Sequence, residues 1–168
     1  DISEYLNDVQ QLGLKYYDDM LLIIPRKEIE LHEIYIKTII DICDIPKGSV
    51  QFTIAGSYRR GNDNSGDIDI LFCSKDKKKY NMFIDKLNES NYLVEELARG
   101  PKKYNGICRY LDNPCRRIDI MYTKPEEYPF AIMYFTGSME FNVKMRGEFL
   151  EKGLSLNEYG IKRDKKNV

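Results

Sequence analysis

Apolar residues recur every three or four positions over 3–20, which predicts an amphipathic helix with Ser3 as its N-cap. Pro25 opens a second helical stretch over 26–43, with Ile29, Ile36, Ile39 and Ile40 spaced to lie on one face. Beyond a turn at Pro46-Lys47-Gly48, 50–55 and 67–73 read as strands on either side of a polar loop. A helix is predicted over 76–88, and three further strands over 92–97, 103–110 and 116–122, with Gly100-Pro101 turning the chain between the first two. From Pro125 the pattern is helical again, broken at Thr136-Gly137-Ser138 and ended by a cap-like Lys152-Gly153. The class predicted is α+β: a mixed sheet with helices on one face, then a small helical or mixed subdomain. There is no internal repeat and no low-complexity linker.

A chain of 168 residues is one compact domain, or two small subdomains on a shared core. It buries roughly 70% of its unfolded surface and needs neither disulfide nor zinc to fold. The 42% hydrophobic and 32% charged composition excludes a wholly disordered chain. The longest apolar run, 20–25, is far too short for a bilayer, so no membrane partner is expected. The first residue is Asp1 rather than Met, which points to a fragment or a processed chain. Cysteines stand at 43, 73, 108 and 115 without C-x-x-C spacing, and His32 is the single histidine, which argues against a Cys/His zinc site. Cys43, Cys73 and Cys108 sit in apolar runs and read as core, as in a reduced intracellular protein.

Net charge is −1, but unevenly spread: residues 1–45 hold 4 basic and 10 acidic side chains, and residues 46–168 hold 22 basic and 17 acidic. The second part leans toward a polyanion, the more so if some of its acids bind metal. A run such as Lys77-Lys78-Lys79 by itself reads as a solvated helix start.

The densest chemistry lies in Gly56-Ser57-Tyr58-Arg59-Arg60-Gly61 followed by Asp67-Ile68-Asp69. A Gly-Ser turn leaving a strand can bring N–H groups and a hydroxyl against a phosphate, and arginine suits bidentate phosphate contact. By itself that turn is equally a surface β-turn. Asp67 and Asp69 alternate with isoleucines, so both face one side of a strand, roughly 6.6 Å apart along it. Like charges so placed are costly unless a cation or solvent intervenes. Ile118-Asp119-Ile120, after Arg116-Arg117, repeats the pattern on another strand. Charges on an edge strand also deter aggregation. If the two strands are neighbours, three carboxylates converge, and an all-oxygen set favours Mg²⁺ or Mn²⁺ over zinc. Two such ions suit phosphoryl or nucleotidyl transfer.

Gly56-Ser57, the spacer and Asp67-x-Asp69 resemble the signature of the nucleotidyltransferase superfamily, and GSYRRGNDNSGDIDIL resembles the palm of family X DNA polymerases, the DNA polymerase beta group. RRIDIMY at 116–122 is similar to the strand of the third catalytic aspartate, and YFTGS at 134–138 to the sugar-discriminating turn. The stretch from FNVKMR to LEKGLSLNEYG, 141–160, resembles the start of the nucleotide-binding subdomain, and LGLKYYDDMLLIIPRKE the end of the DNA-binding one. The resemblance implies three parts: 1–24, the end of a helical DNA-binding subdomain; 25–124, a catalytic palm; 125–168, part of a thumb. It implies that Asp67 and Asp69 hold two Mg²⁺ ions, replaceable by Mn²⁺, with Asp119 on the one beside a primer 3′-OH. Ser57, Arg60 and the Gly66 backbone, beyond Gly56, grip the triphosphate. Tyr134, Phe135 and Gly137 pack on the sugar, and Asn142 meets the base edge. Lys144 and Arg146 meet the template, Arg117 stands near Asp119 and the primer terminus, and Lys103 near the DNA backbone. Periodicity alone reads Tyr128, Phe130, Tyr134 and Phe135 as helix core, and Asn142, Lys144 and Arg146 as a solvated face.

The sequence departs from the family pattern at Ile23, where an arginine near the triphosphate is usual, and at Met139, where an acid packs by the nucleotide. Met121 replaces an arginine that pairs with Glu158, and Tyr58 replaces Phe. The lyase domain of repair members and most of the helix-hairpin-helix region are absent from this chain.

The function this implies is template-directed, magnesium-dependent addition of a deoxynucleotide to a primer 3′-OH, with release of pyrophosphate, in short-gap filling during base excision repair. The partners are gapped or primer-template DNA and dNTP, and the enzyme is a monomer. The alternatives are a template-independent nucleotidyltransferase, against which Lys144 and Arg146 count, and a noncatalytic DNA-binding module, which three acids facing a phosphate backbone disfavour.

Overall fold

The computed structural model describes residues 5–43, 45–46 and 48–163. The first predicted helix is two helices, α1 (Asp8–Lys15) and α2 (Tyr17–Leu21), broken at Tyr16. Asn7 caps α1: its side chain accepts from the Gln10 N–H at 2.9 Å while the Gln10 side chain accepts from the Asn7 N–H at 3.0 Å, a reciprocal box. The expected cap, Ser3, lies outside the described residues, as does Lys47 of the predicted turn. Neither helix buries a residue. Side chains tether them instead: Lys15 and the Tyr16 hydroxyl each reach Glu95 at 2.9 Å, and Asp19 accepts from the Cys115 N–H at 2.8 Å.

A two-residue strand β1 (Ile24–Pro25) leads into α3 (Arg26–Ile42), with Pro25 in the N-cap position just outside the helix. Then come β2 (Val50–Ile54), a single helical turn α4 (Gly56–Arg59), β3 (Asn64–Ser65) and β4 (Ile68–Ser74). The expected polar loop thus contains two elements too short to leave a periodic trace, and β3 pairs antiparallel with β1. Helix α5 (Lys77–Glu89) and strands β5 (Leu93–Arg99), β6 (Lys103–Cys108) and β7 (Arg116–Thr123) follow as predicted. Helices α6 (Tyr128–Thr136) and α7 (Met139–Glu151) then give way, just past the cap-like Lys152-Gly153, to a hairpin of β8 (Leu154–Asn157) and β9 (Gly160–Arg163), strands for which the sequence offered no pattern.

The main sheet has the order β2-β4-β7-β6-β5, in which only β4 and β7 run parallel. Helices α3 and α5 cover one face, sealing Ile29, Ile36, Phe83 and Ile84 against Ile68, Ile70, Phe72, Ile118 and Ile120. On the other face α6 crosses β4. There the Tyr128 hydroxyl bonds Gln51 and Thr53, which alternate with the core side of β2. The central pair therefore carries an almost continuous apolar run, as a parallel pair covered on both faces must. All four cysteines are free and buried. Among the described residues no helix is long and apolar enough to cross a membrane.

A buried ion pair joins β7 to α3. Arg116, 4% exposed, gives Glu28 two parallel bonds of 2.7 and 2.8 Å and a third, of 3.0 Å, to the Leu22 carbonyl. Removing one partner strands a charge in the interior. Glu28→Ala is expected to lower the unfolding free energy by about 3 kcal/mol, and Glu28→Met with Arg116→Leu by less than Glu28→Ala alone, in urea denaturation.

Candidate active site

The site begins where β2 turns into β4. Gly56 has φ +56°, and a Cβ there would stand 2.1 Å from Oδ2 of Asp69, so glycine alone lets the chain pass this close to the carboxylate. The loop beyond is fastened from behind. The Ser57 hydroxyl donates to Ser65 at 2.7 Å. Arg26 lies 4.1 Å over the Tyr58 ring and donates to the carbonyls of Tyr58 (2.8 Å) and Asn62 (3.3 Å). The Tyr58 hydroxyl donates to Glu33 at 3.1 Å.

The carboxylates follow from register. Asp69 stands directly opposite Asp119 across the parallel β4–β7 pair, and Asp67 lies one residue before β4. Burial, and then the neighbouring charges of Asp67 and Asp119, push the Asp69 carboxyl up to about 7, although Lys103 and Arg117 oppose this. Each outer carboxylate has a cation of the protein: Arg117 sits 2.8 Å from Asp67, and Lys103 3.0 Å from Oδ2 of Asp119. The Asn105 amide donates to the other oxygen of Asp119. The Asp69 carboxylate is paired with no cation or donor among the described residues, although its backbone carbonyl accepts from the Ala55 N–H at 2.8 Å. The two strands are neighbours, as the expected convergence requires; among the described residues no group of three His, Cys, Asp or Glu side chains is arranged to enclose an ion. As a donor set, three carboxylates, one of them held against strong repulsion, favour a hard divalent cation over a softer one.

Beside them opens a cleft of about 530 Å³. Gly56, Ser57, Arg60, Asp67 and Asp69 form one wall, and Tyr134, Phe135, Gly137, Asn142 and Arg146 the other, so the structure brings these sequence-predicted residues into one space. The far wall is a turn between α6 and α7, with φ +67° at Gly137 and a cis Gly137–Ser138 peptide. Two adjacent arginines hold it: Arg60 donates to the Thr136 carbonyl at 2.6 Å and Arg59 to the Thr136 hydroxyl at 3.1 Å. Asn142 donates to the Tyr134 carbonyl at 2.8 Å, which fixes the start of α7 against the end of α6. Met139, 79% exposed, adds an apolar lip with Val143.

Asp119, Lys103 and Arg117 adjoin the carboxylate row outside the cleft lining, Gly66 is exposed just before Asp67, and Lys144 is exposed on α7. The sequence reading missed Asn105, Arg26 and Ser65, and named Thr136 only as part of the turn and not as the anchor of Arg59 and Arg60. Asn105 left one signal, a carboxamide in mid-strand, where that residue is disfavoured. Met121 and Glu158 line a small cavity of about 100 Å³ between β7 and the terminal hairpin.

A mixed sheet with aspartates in register across its one parallel pair, walled by a helical turn, defines a polymerase-type palm with the beginning of a thumb. Residues 23–125 match the family described as DNA polymerase beta palm, and residues 131–168 the DNA polymerase beta thumb. The chain belongs to the family X DNA polymerases, the DNA polymerase beta group. It is 31% identical over 163 residues to the DNA polymerase lambda of Rattus norvegicus, covering 90% of this chain and 28% of that protein. Over 174 residues it is 32% identical to the DNA polymerase lambda of Arabidopsis thaliana, covering 95% and 32%. It is also 27% identical over 203 residues to the DNA nucleotidylexotransferase of Xenopus laevis, covering 96% and 39%. The chain thus spans about a third of the length of these curated relatives.

Asp69 takes up a proton more readily folded than unfolded, so between its ordinary value of 3.8 and about 7 its charge subtracts stability as pH rises. Asp69→Asn is therefore expected to leave the EDTA-treated protein little changed at pH 4 and to raise its melting temperature progressively through pH 7, by thermal denaturation at each pH.

Proposed function

We propose that this chain is the catalytic part of a template-directed DNA polymerase that adds a deoxynucleotide to a primer 3′-OH and fills short gaps during DNA repair. The observation that carries the reading is the cleft uniting Asp67, Asp69 and Arg60 with the Tyr134–Gly137 turn. The names of the polymerase lambda relatives support it. The primer oxygen forms its bond to the α-phosphorus as the opposite bond to pyrophosphate breaks, and the hydroxyl proton leaves to solvent.

Asp67 and Asp69 would hold two Mg²⁺ ions and Asp119 the one nearer the primer; bound there, such ions acidify the attacking hydroxyl and neutralise the leaving pyrophosphate. The rest is positioning by the chain's own groups. Ser57, Arg60 and the Gly66 N–H bind the triphosphate, and Arg60 has donors left beyond the one given to Thr136. Tyr134, Phe135 and Gly137 pack on the sugar, with backbone where a 2′-OH would stand, and Asn142 meets the minor-groove edge of the base. Lys144 and Arg146 meet the template, Arg117 the primer end and Lys103 the DNA backbone. Residues 1–24 close a DNA-binding subdomain, 25–124 form the palm and 125–168 part of the thumb. The protein acts as a monomer in a reducing, intracellular compartment. Template-independent addition is the second reading, and the nucleotidylexotransferase relative favours it.

On a one-nucleotide gapped duplex with Mg²⁺ at low salt, each dNTP supplied separately, only the template-matched nucleotide should be added, and Asp119→Ala should reduce extension to background. Addition regardless of template would establish the second reading, and unchanged extension by Asp119→Ala would overturn the assigned chemistry. Lys144→Ala or Arg146→Ala should weaken DNA binding across sequences and reduce the salt slope by about one, measured by fluorescence anisotropy.

A further inference from the structure

Strand register places Asp119 in the middle of a row. Asp69 faces it across the parallel pair on one side, and Asn105 faces it across the antiparallel β6–β7 pair on the other. Its two oxygens go to different donors: Oδ1 to the Asn105 amide and Oδ2 to Lys103 at 3.0 Å. The donors differ in kind. Lys103, with 45% of its side chain exposed, is a flexible cation that a phosphate or solvent can draw away. Asn105 is half-buried and short, and an amide bond orients a carboxylate without cancelling the charge a cation would need. Asparagine is also a poor strand former in mid-strand. A residue that breaks a local rule with nothing gained in packing is one that function explains.

We propose that Asn105 is a positioning residue for the reaction: it fixes the Asp119 carboxylate by one oxygen, so that the other is presented toward a divalent cation when Lys103 leaves. The proposal rests on the polymerase reading only for its consequence on rate, since the hydrogen bond acts on the carboxylate itself.

The test uses the full chain and three readouts: Mn²⁺ titration by electron paramagnetic resonance, thermal melting, and single-turnover addition on the gapped duplex. For Asn105→Leu the expected result is Mn²⁺ affinity weakened about 10-fold or more with a melting temperature at or above that of the parent. The single-turnover rate should fall by a similar factor with the dNTP dissociation constant unchanged within about twofold. Asn105→Gln, which keeps the amide, should recover part of the lost Mn²⁺ affinity. Parent-like Mn²⁺ affinity in Asn105→Leu overturns the proposal, as does a loss accompanied by a lowered melting temperature, which marks a structural role. Should the parent chain add no nucleotide at all, it is the polymerase reading that fails, while the Mn²⁺ titration still decides for or against Asn105.

Discussion

The structure turns on a conflict that its own register imposes. Ile68 and Ile70 on β4 and Ile118 and Ile120 on β7 are almost completely buried, and the residues between them, Asp69 and Asp119, are thereby forced side by side. Each buried isoleucine contributes roughly 1.5–3 kcal/mol, and four of them together outweigh the cost of holding like charges opposed across the strands. A slip of one residue would relieve the repulsion only by sending the isoleucines to the surface. The core therefore wins, and the acids stay together. Their neighbours are adjustments to that outcome: the missing Cβ at Gly56, Arg117 on Asp67, and Lys103 and Asn105 on Asp119.

The second wall depends on the first through very few bonds. Arg59 and Arg60, one helical turn beyond the glycine, both end on Thr136, so the α6–α7 turn takes its position from the same loop that passes Asp69. Helix α7 buries none of its residues fully; Ser138 caps it, Asn142 bonds the Tyr134 carbonyl, and it lies against β8. Its apolar side chains Met139 and Val143 line the cleft.

The order of strands and long helices was legible because each has a period, and the aspartates were legible because they interrupt isoleucine runs at a spacing that only a strand explains. The turn at Thr136-Gly137-Ser138 showed as a break between helical stretches. What escaped was contact between distant segments. Nothing near Arg26 in the sequence announces that it will close over Tyr58, and nothing near Arg116 that Glu28, 88 positions away, will be its partner. The one-turn helix α4, the β1–β3 pair and the β8–β9 hairpin are too short for periodicity to register. The resemblance placed Arg117 near Asp119, but not on Asp67, and it did not disclose that Lys103 would face Asp119, since such partners are set by sheet order and not by spacing.

The clasp of Arg26 on Tyr58 and Asn62 lies on the side of the Gly56–Arg59 turn away from the cleft, so the loop is ordered by residues that touch no ligand. Conformational freedom is thus surrendered during folding and not at encounter. A ligand arriving at this loop meets a mould already set, and a calorimeter would register its docking without the entropic deficit that accompanies the stiffening of a slack loop.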